Sequence, residues 1–405
     1  MSDTTASVLD HMSVKEMPAF AQVMPRVAAE YGKPLTTQLK ELVTWCLRGN
    51  KLSVDEYYSM CLFDGSVWTP QEKKKAVGLA KSRDIWGHFL ERNPWTGVMD
   101  DKLAYENLLR GFGLKGTTTV AIIGGRYPKD RPTRLESPKA VREFLEKASF
   151  PIFGKPTNSL QSLGSARFNS YDKGQGRLTM SNGKSVGVEE LWSEIETHFN
   201  GAYLFQECVE THTVLKEMCG SGVPTIRVVT LDRGNGPEIF RVCAKLTGNG
   251  NVADNFWRAG NMLAPVDAAT GVLGKALTGM GIDGQRLDIH PDTGKQIEGV
   301  QLPHWDAIRE AAISAATLTK GSLIIGFDIA VSPDGPVIIE ANYDPHLIML
   351  QVAHQKGVLD EHMLGAMDYM KRIIADEHAG IKAHVLKERA QNKKDMQEAL
   401  TKKAA

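Results

Sequence analysis

The run Gly326-Phe-Asp-Ile-Ala-Val-Ser-Pro-Asp-Gly-Pro-Val-Ile-Ile-Glu-Ala-Asn342 narrows the fold more than any other stretch of this chain. Two apolar segments flank Pro333-Asp-Gly-Pro336, the composition of a strand, a turn and a second strand. Side chains alternate across a strand, so Glu340 and Asn342 share a face. A hairpin folded at residues 333–336 can bring Asp328 beside them. Three hard oxygen donors then stand on one apolar scaffold. Magnesium suits such a set, with its remaining positions left to water and phosphate oxygens. Two carboxylates in these surroundings repel each other unless a cation lies near. An ordinary hairpin with acids at its wet ends is the plainer alternative. It accounts poorly for an acid inside Ile338-Ile-Glu-Ala-Asn342.

The chain of 405 residues, 42% of them hydrophobic, is long enough for a large core and for two or three compact lobes. Zero net charge and a pI near 7.2 give no global pull toward nucleic acid or an anionic membrane. Five cysteines without a CxxC pair predict reduced thiols and a cytoplasmic setting. Cys208 and Cys243 sit in apolar runs and are expected to be small core residues. The N-terminus lacks signal-peptide character, and no apolar run approaches the ~20 residues of a membrane span.

Residues 1–95 read as helical. Ala19–Ala29 and Leu35–Leu47 carry apolar residues at helical spacing. Ser53-Val-Asp-Glu56 is a capping box, and Thr69-Pro70 opens another helix. Trp68, Trp86 and Trp95 are expected to be structural aromatics. Strand signals begin at Thr117–Ile123, which ends in Gly124-Gly125. They recur at residues 166–169 and 177–180, at Ala202–Val209 and from Thr225 onward, with helices at 137–147, 188–198 and 305–319. Residues 246–305 are rich in Gly, Asp and Pro and show little periodicity, so the expectation is a long, loop-rich insertion that carries function. Arg227, between Ile226 and Val228, must find a partner, because burying a free charge is costly. An anionic ligand and a salt bridge are both open to it. His290, His304 and His346 lack zinc-ligand spacing and are expected to be mostly solvated. From Ile381 the tail holds an excess of lysine and arginine and reads as a solvated helix with a frayed end.

The hairpin resembles the metal-binding end of the ATP-grasp superfamily: Asp, about a dozen residues, then Glu-x-Asn. His346 replaces the glycine of the usual Asn-x-x-Pro-Gly continuation. Thr225-Ile-Arg-Val-Val-Thr230, Asp254-Asn-Phe256, His290-Pro-Asp-Thr-Gly294 and Leu302-Pro-His-Trp305 resemble the sugar-transfer-associated, α-L-glutamate ligase-related group, over about residues 95–360. The resemblance implies an α/β (α+β) fold whose two lobes clasp ATP with magnesium, or manganese in its stead. It divides the chain into a helical region 1–95, an N-terminal lobe 96–210, a C-terminal lobe 211–360 and C-terminal helices 361–405. It puts Lys102 and Lys155 on the nucleotide phosphates and residues 157–165 over them as a lid. It puts Gln206, Glu207 and Val209 at the adenine hinge, Glu210 or Glu217 on the ribose, and Lys245 in the same cleft. It assigns the metal to Asp328, Glu340 and Asn342, and catalytic charge stabilisation to Arg227 and Lys155. Residues 246–305, with Arg227 and His346, would read the acceptor.

The implied reaction is ATP-dependent joining of a small-molecule carboxylate to an amine through an acyl-phosphate, on an acceptor related to cell-surface polysaccharide or another small molecule. A kinase-like phosphotransferase and a nucleotide-binding partner protein without turnover are the alternatives. No nucleic-acid or membrane partner is expected, and a homo-oligomer stays open.

Overall fold

The structure, a computed structural model, describes residues 9, 20–47, 50–90, 93–124, 132–157 and 163–404. Most of the expected lid, residues 158–162, and Gly125 of the Gly124-Gly125 pair lie outside the described residues, as does the Trp86 side chain. The strands in chain order are β1 (Thr119–Ile123), β2 (Thr133–Leu135), β3 (Ile152–Pro156), β4 (Ala166–Asp172), β5 (Arg177–Met180), β6 (Ser185–Gly187) and β7 (Tyr203–Glu207). They continue as β8 (Thr225–Asp232), β9 (Pro237–Leu246), β10 (Met262–Val266), β11 (Ala276–Thr278), β12 (Gln285–Leu287), β13 (Ile324–Ser332) and β14 (Gly335–Asn342). They form two seven-stranded sheets, ordered β2-β1-β7-β3-β4-β5-β6 and β12-β11-β10-β9-β8-β13-β14.

The period-two alternation of strands decides what each sheet offers. In the first sheet Ala121, Ile123, Ile152, Phe168, Tyr203 and Phe205 pack under helices 138–145 and 188–198. Gly154 belongs to that face, and a Cβ there would stand 2.5 Å from the Tyr203 ring. The residues between them, Phe153, Lys155, Arg167 and Gln206, therefore point to the opposite face, which looks onto the second sheet.

The second sheet repeats the logic. Ile226, Val228, Val242, Ala244, Ile325 and Phe327 pack against helix Trp305–Leu318. On the other face Thr225 pairs with Lys245, Arg227 with Cys243, and Asp328 with both Arg227 and Glu340. That face changes character along its length. Toward Val229, Leu231, Cys243 and Ile324 it is apolar, and it is covered by helix Leu347–His354 and by the N-terminal helices through Tyr57, Tyr58, Phe63 and Trp68. Toward Thr225, Arg227, Lys245 and Asp328 it is polar.

The N-terminal helices follow their sequence signals. Ser53 and Glu56 form the capping box, Thr69 caps the helix that begins at Pro70, and the Trp68 indole donates to Met60 O at 2.9 Å. The fully buried Gln351 fastens them to the second lobe. Its amide accepts from Val77 N at 2.8 Å and donates to Val77 O at 2.9 Å. Gln351→Leu keeps the volume and leaves a buried donor and acceptor unpaired, so urea unfolding should show a loss of about 2 kcal/mol or more. An unchanged midpoint would mean that the amide adds nothing to the junction.

Residues 246–305 are loop-rich as expected, with only 262–266, 276–278 and 285–287 in strands of their own, but they also build core. β10, β11 and β12 extend the second sheet, and Met262, Leu263, Ala264, Val266, Leu273, Ala276, Ile297 and Leu302 belong to the apolar clusters on its faces. The segment builds core rather than decorating it. Its strands are three to five residues long and broken by Pro and Gly, too short to leave a periodic trace.

Candidate active site

Between the sheets lies a cleft enclosing about 890 Å³, counting the space at its open mouth. The first lobe lines it with Phe153, Lys155, Arg167 and Gln206, and the second with Thr225, Lys245, Asp254, Asp328 and Glu340. Lys102, at the start of helix Lys102–Gly111, lines it too. Asp101 caps that helix by accepting from Leu103 N and Ala104 N, each at 3.0 Å.

Lys155 is buried, and its ammonium makes no hydrogen bond or ion pair among the described residues. Burial, with the like charge of Lys102 beside it, draws its pKa down to about 8, against the pull of Glu340 and Glu106. Lys102 donates to Thr157 O at 3.1 Å, and burial lowers it too, against the pull of Glu340. The two lysines thus face the end of the hairpin that carries Glu340.

On the hairpin, Asp328 and Glu340 stand opposite each other, as do Gly326 and Asn342. Asn342 Nδ2 donates to Glu340 Oε1 at 3.3 Å. The sequence-predicted donor set is therefore adjacent. Its charge balance differs from the expectation, because the cations that steady Asp328 come from the fold. Arg227 donates through Nε to Oδ1 at 2.5 Å and through Nη2 to Oδ2 at 2.9 Å, and Lys245 Nζ donates to Oδ2 at 2.9 Å. Burial alone would raise the Asp328 carboxyl, but Arg227 and Lys245 hold it well below the usual carboxylate range. Arg227 is in turn held up by Asp328 against the cost of its own burial. Of the two roles open to Arg227, the structure displays the salt bridge, with the fork spent on Asp328 rather than facing the cleft. Gly326 leaves it room, since a Cβ there would stand 3.2 Å from Arg227 Cδ and 2.7 Å from Pro345 Cβ. Lys245 also meets Asp254 at 3.3 Å, and Asp254 accepts from the Thr225 hydroxyl. Burial raises Asp254 while Lys245 opposes it.

Among the described residues no cluster of three His, Cys, Asp or Glu side chains forms a metal site. The donor set fits a hard cation through oxygens alone. Asp328 and Glu340 stand within hydrogen-bonding reach of each other, and Asn342 donates through its amide nitrogen, leaving its side-chain Oδ1 as the third oxygen.

The hinge residues follow β7. Residues 208–212 leave the sheet, and Cys208 and Val209 line the cleft. Cys208 is accordingly a cleft residue and not the expected core thiol, because the strand ends at Glu207. Cys243 is buried as expected. Gln206 lines the cleft, but its amide nitrogen is spent on Glu106, Thr117 and Thr119 at 3.0–3.2 Å, leaving its carbonyl for a ligand. The Glu207 side chain is exposed. Neither ribose candidate reaches the cleft lining: Glu210 is exposed, and Glu217 pairs with Lys295 on the surface.

Sequence reasoning missed Glu106. Its side chain is buried in helix 102–111, and it accepts from Thr119 N, the Thr117 and Thr119 hydroxyls, Gln206 and Arg110. It fixes the start of β1 and the Gln206 side chain together. An acid at a helical position gives no sign of burial; only Thr117 and Thr119 hinted at a partner. His290 is a second correction. It is buried and bonds Thr247 O at 2.9 Å, so it is structural rather than solvated. His304 is exposed. His346 lies outside the cleft lining, with its ring 5.2 Å from Trp257, and burial together with Arg227 lowers it to about 4.

Residues 96–365 match the sugar-transfer associated ATP-grasp family, and the chain belongs to it. No curated protein matches the sequence. Among solved structures, the fold resembles D-alanine–D-alanine ligase from Bacillus anthracis complexed with ATP, at 14% identity and a TM-score of 0.39 over 69% of each chain. It also resembles L-amino acid ligase from Bacillus licheniformis, at 11% identity and a TM-score of 0.37 over 67% of this chain and 48% of that one. A third likeness is biotin carboxylase from Campylobacter jejuni in complex with an ATP analogue, at 11% identity and a TM-score of 0.40 over 67% and 46%. At these TM-scores the likenesses bear no weight on function.

Proposed function

We propose that this chain is an ATP-dependent carboxylate–amine ligase. The observation that carries the reading is the cleft itself. In a member of the ATP-grasp family, Lys102 and Lys155 share one cleft with Asp328 and Glu340 of the hairpin. In this reading adenine lies at residues 206–209 and the triphosphate runs toward the hairpin. Asp328, Glu340 and Asn342 would hold magnesium, which would supply screening of the phosphoryl charge. Lys102 and Lys155 supply positive charge at the phosphate oxygens. Arg227 and Lys245 position Asp328 and keep it ionised. A substrate carboxylate oxygen attacks the γ-phosphorus, and the bond to the bridging oxygen breaks, releasing ADP. An amine then attacks the acyl carbon, inorganic phosphate leaves, and the amine gives up its proton to solvent. No nucleophilic side chain is required.

The test is a panel of carboxylates and amines, supplied singly and in pairs, with ADP and inorganic phosphate measured. Phosphate release that needs both partners supports the ligase. A stable phosphorylated product from one acceptor overturns it in favour of phosphotransfer.

Lys155 gives this reading a pH signature. Its folded-state pKa near 8 means that the amine is charged below that pH and neutral above it. MgATP affinity should therefore fall as pH rises from about 7 to about 9.5, and Lys155→Arg, which stays charged, should flatten the fall. Lys155→Ala should cost about 1.5–3 kcal/mol in binding or barrier. Calorimetric titration decides: equal affinity in wild type and Lys155→Ala, with equal turnover, would remove Lys155 from the phosphate site.

A further inference from the structure

Residues 247–261 carry the chain from the end of β9 to the start of β10, where Leu246 pairs with Met262. The connection is irregular, yet its middle, Val252, Ala253 and Asp254, forms part of the cleft wall. Such a segment has to satisfy its backbone groups without a sheet or helix ladder. One side chain does much of this. Asn261 is fully buried at the foot of the connection. Its Oδ1 accepts from Gly248 N at 3.2 Å and from Asn251 Nδ2 at 3.0 Å, and its Nδ2 donates to Ala253 O at 2.8 Å and to Asn255 O at 2.7 Å. The two carbonyls that it holds stand on either side of Asp254 in the chain. Asp254 is therefore clamped at both neighbours, and its carboxylate, which accepts from the Thr225 hydroxyl, meets Lys245 at 3.3 Å. Lys245 in turn donates to Asp328 at 2.9 Å. Its charge is thus divided between two carboxylates. Were Asp254 to move away, that charge would fall more fully on Asp328 and compete with a metal ion for its oxygens.

We propose that Asn261 is a positioning residue for the metal-binding hairpin: it sets Asp254 against Lys245, and so tunes the hold of Asp328 on a cation. This rests on the assignment of the metal to the hairpin, and not on which substrates are joined. The test is manganese titration of the full chain, followed by electron paramagnetic resonance, beside urea unfolding of the same samples. Asn261→Ala should weaken manganese binding about tenfold, the scale on which partners behind a metal ligand act. Asp254→Asn keeps the shape and an acceptor for Thr225 but removes the counter-charge, so it should weaken manganese to a similar degree. The double variant should be no weaker than the weaker single one, because both act through one carboxylate. Asn261→Asp keeps the acceptor for Gly248 and Asn251 and loses the donor to Ala253 and Asn255; it takes the place of Asn261→Ala if the alanine variant does not fold. An Asn261 variant that unfolds at lower urea yet binds manganese like wild type would have lost a structural residue only, and the proposal would be overturned. Full additivity in the double variant overturns it as well, because Asn261 would then act by another route. Asp254→Asn is a check that does not depend on Asn261: wild-type affinity there removes the link. A wild type that binds no manganese takes away the metal assignment itself, and the proposal with it. If the coupled loss appears but no carboxylate–amine pair releases phosphate, the ligase reading falls and the role of Asn261 stands.

Discussion

Glu340→Gln is expected to lower ATP turnover by about a hundredfold or more while leaving the fold intact. The substitution keeps the shape of the side chain and removes one charge from the hairpin face. Lys102, Lys155, Arg227 and Lys245 all feel that charge, and a hard cation would be held by it. Screening the transferred phosphoryl group contributes several kcal/mol, and about 2.7 kcal/mol already corresponds to a hundredfold. The half-buried side chain accepts from Asn342, which the amide oxygen of Gln can still receive. The fold should therefore persist, with an unfolding midpoint lowered by the counter-charge that these buried cations lose. Manganese titration followed by electron paramagnetic resonance gives a readout independent of turnover. A variant that binds manganese like wild type and keeps its activity would take the metal away from this hairpin.

Asp328→Ala should have the largest effect on stability, about 3–5 kcal/mol in urea unfolding at neutral pH. It strands Arg227 and Lys245, both nearly inaccessible, and leaves Lys245 with Asp254 as its ion-pair partner and Glu340 as the other carboxylate acting on it. The sign with pH follows from the depressed Asp328 carboxyl. Its contribution is fully present above the unfolded value of about 3.9 and is lost as pH falls through the lower folded value. Replacing the pair with apolar residues of similar volume, Asp328→Leu with Arg227→Met, should recover much of the loss. A single variant that loses under about 1 kcal/mol would mean that the arginine escapes to solvent, and the buried-pair reading would fail.

The hairpin was legible because a turn and two alternating strands leave their own signature, and Asp328 and Glu340 pair as that signature required. The capping box at Ser53 and the proline start at Pro70 were legible for the same local reason. What the sequence hid was the identity of partners. Arg227 demanded a counter-charge, but its register opposite Asp328 depends on β8 and β13 pairing across a sequence separation of 101. Cys243 and Cys208 both sit in apolar runs, and only the end of β7 at Glu207 separates a core thiol from a cleft thiol. β10–β12 went unseen because short edge strands gain their order from the neighbour they pair with and not from their own composition.

One face of the second sheet serves two masters, and this limits how the protein can be divided. The strands that carry Arg227, Lys245 and Asp328 at one end carry Val229, Leu231, Cys243 and Ile324 at the other, and there the cover includes helices from residues before 91. The family-matched stretch begins at residue 96, after that cover has been laid down. Excised at this boundary, it would present a wet apolar wall on the same strands that carry the charged residues of the cleft, at about 1.5–3 kcal/mol for each large side chain uncovered. Residues outside the cleft thus help hold its floor flat. The portable unit, for expression or for grafting into another enzyme, is larger than the stretch that carries the chemistry.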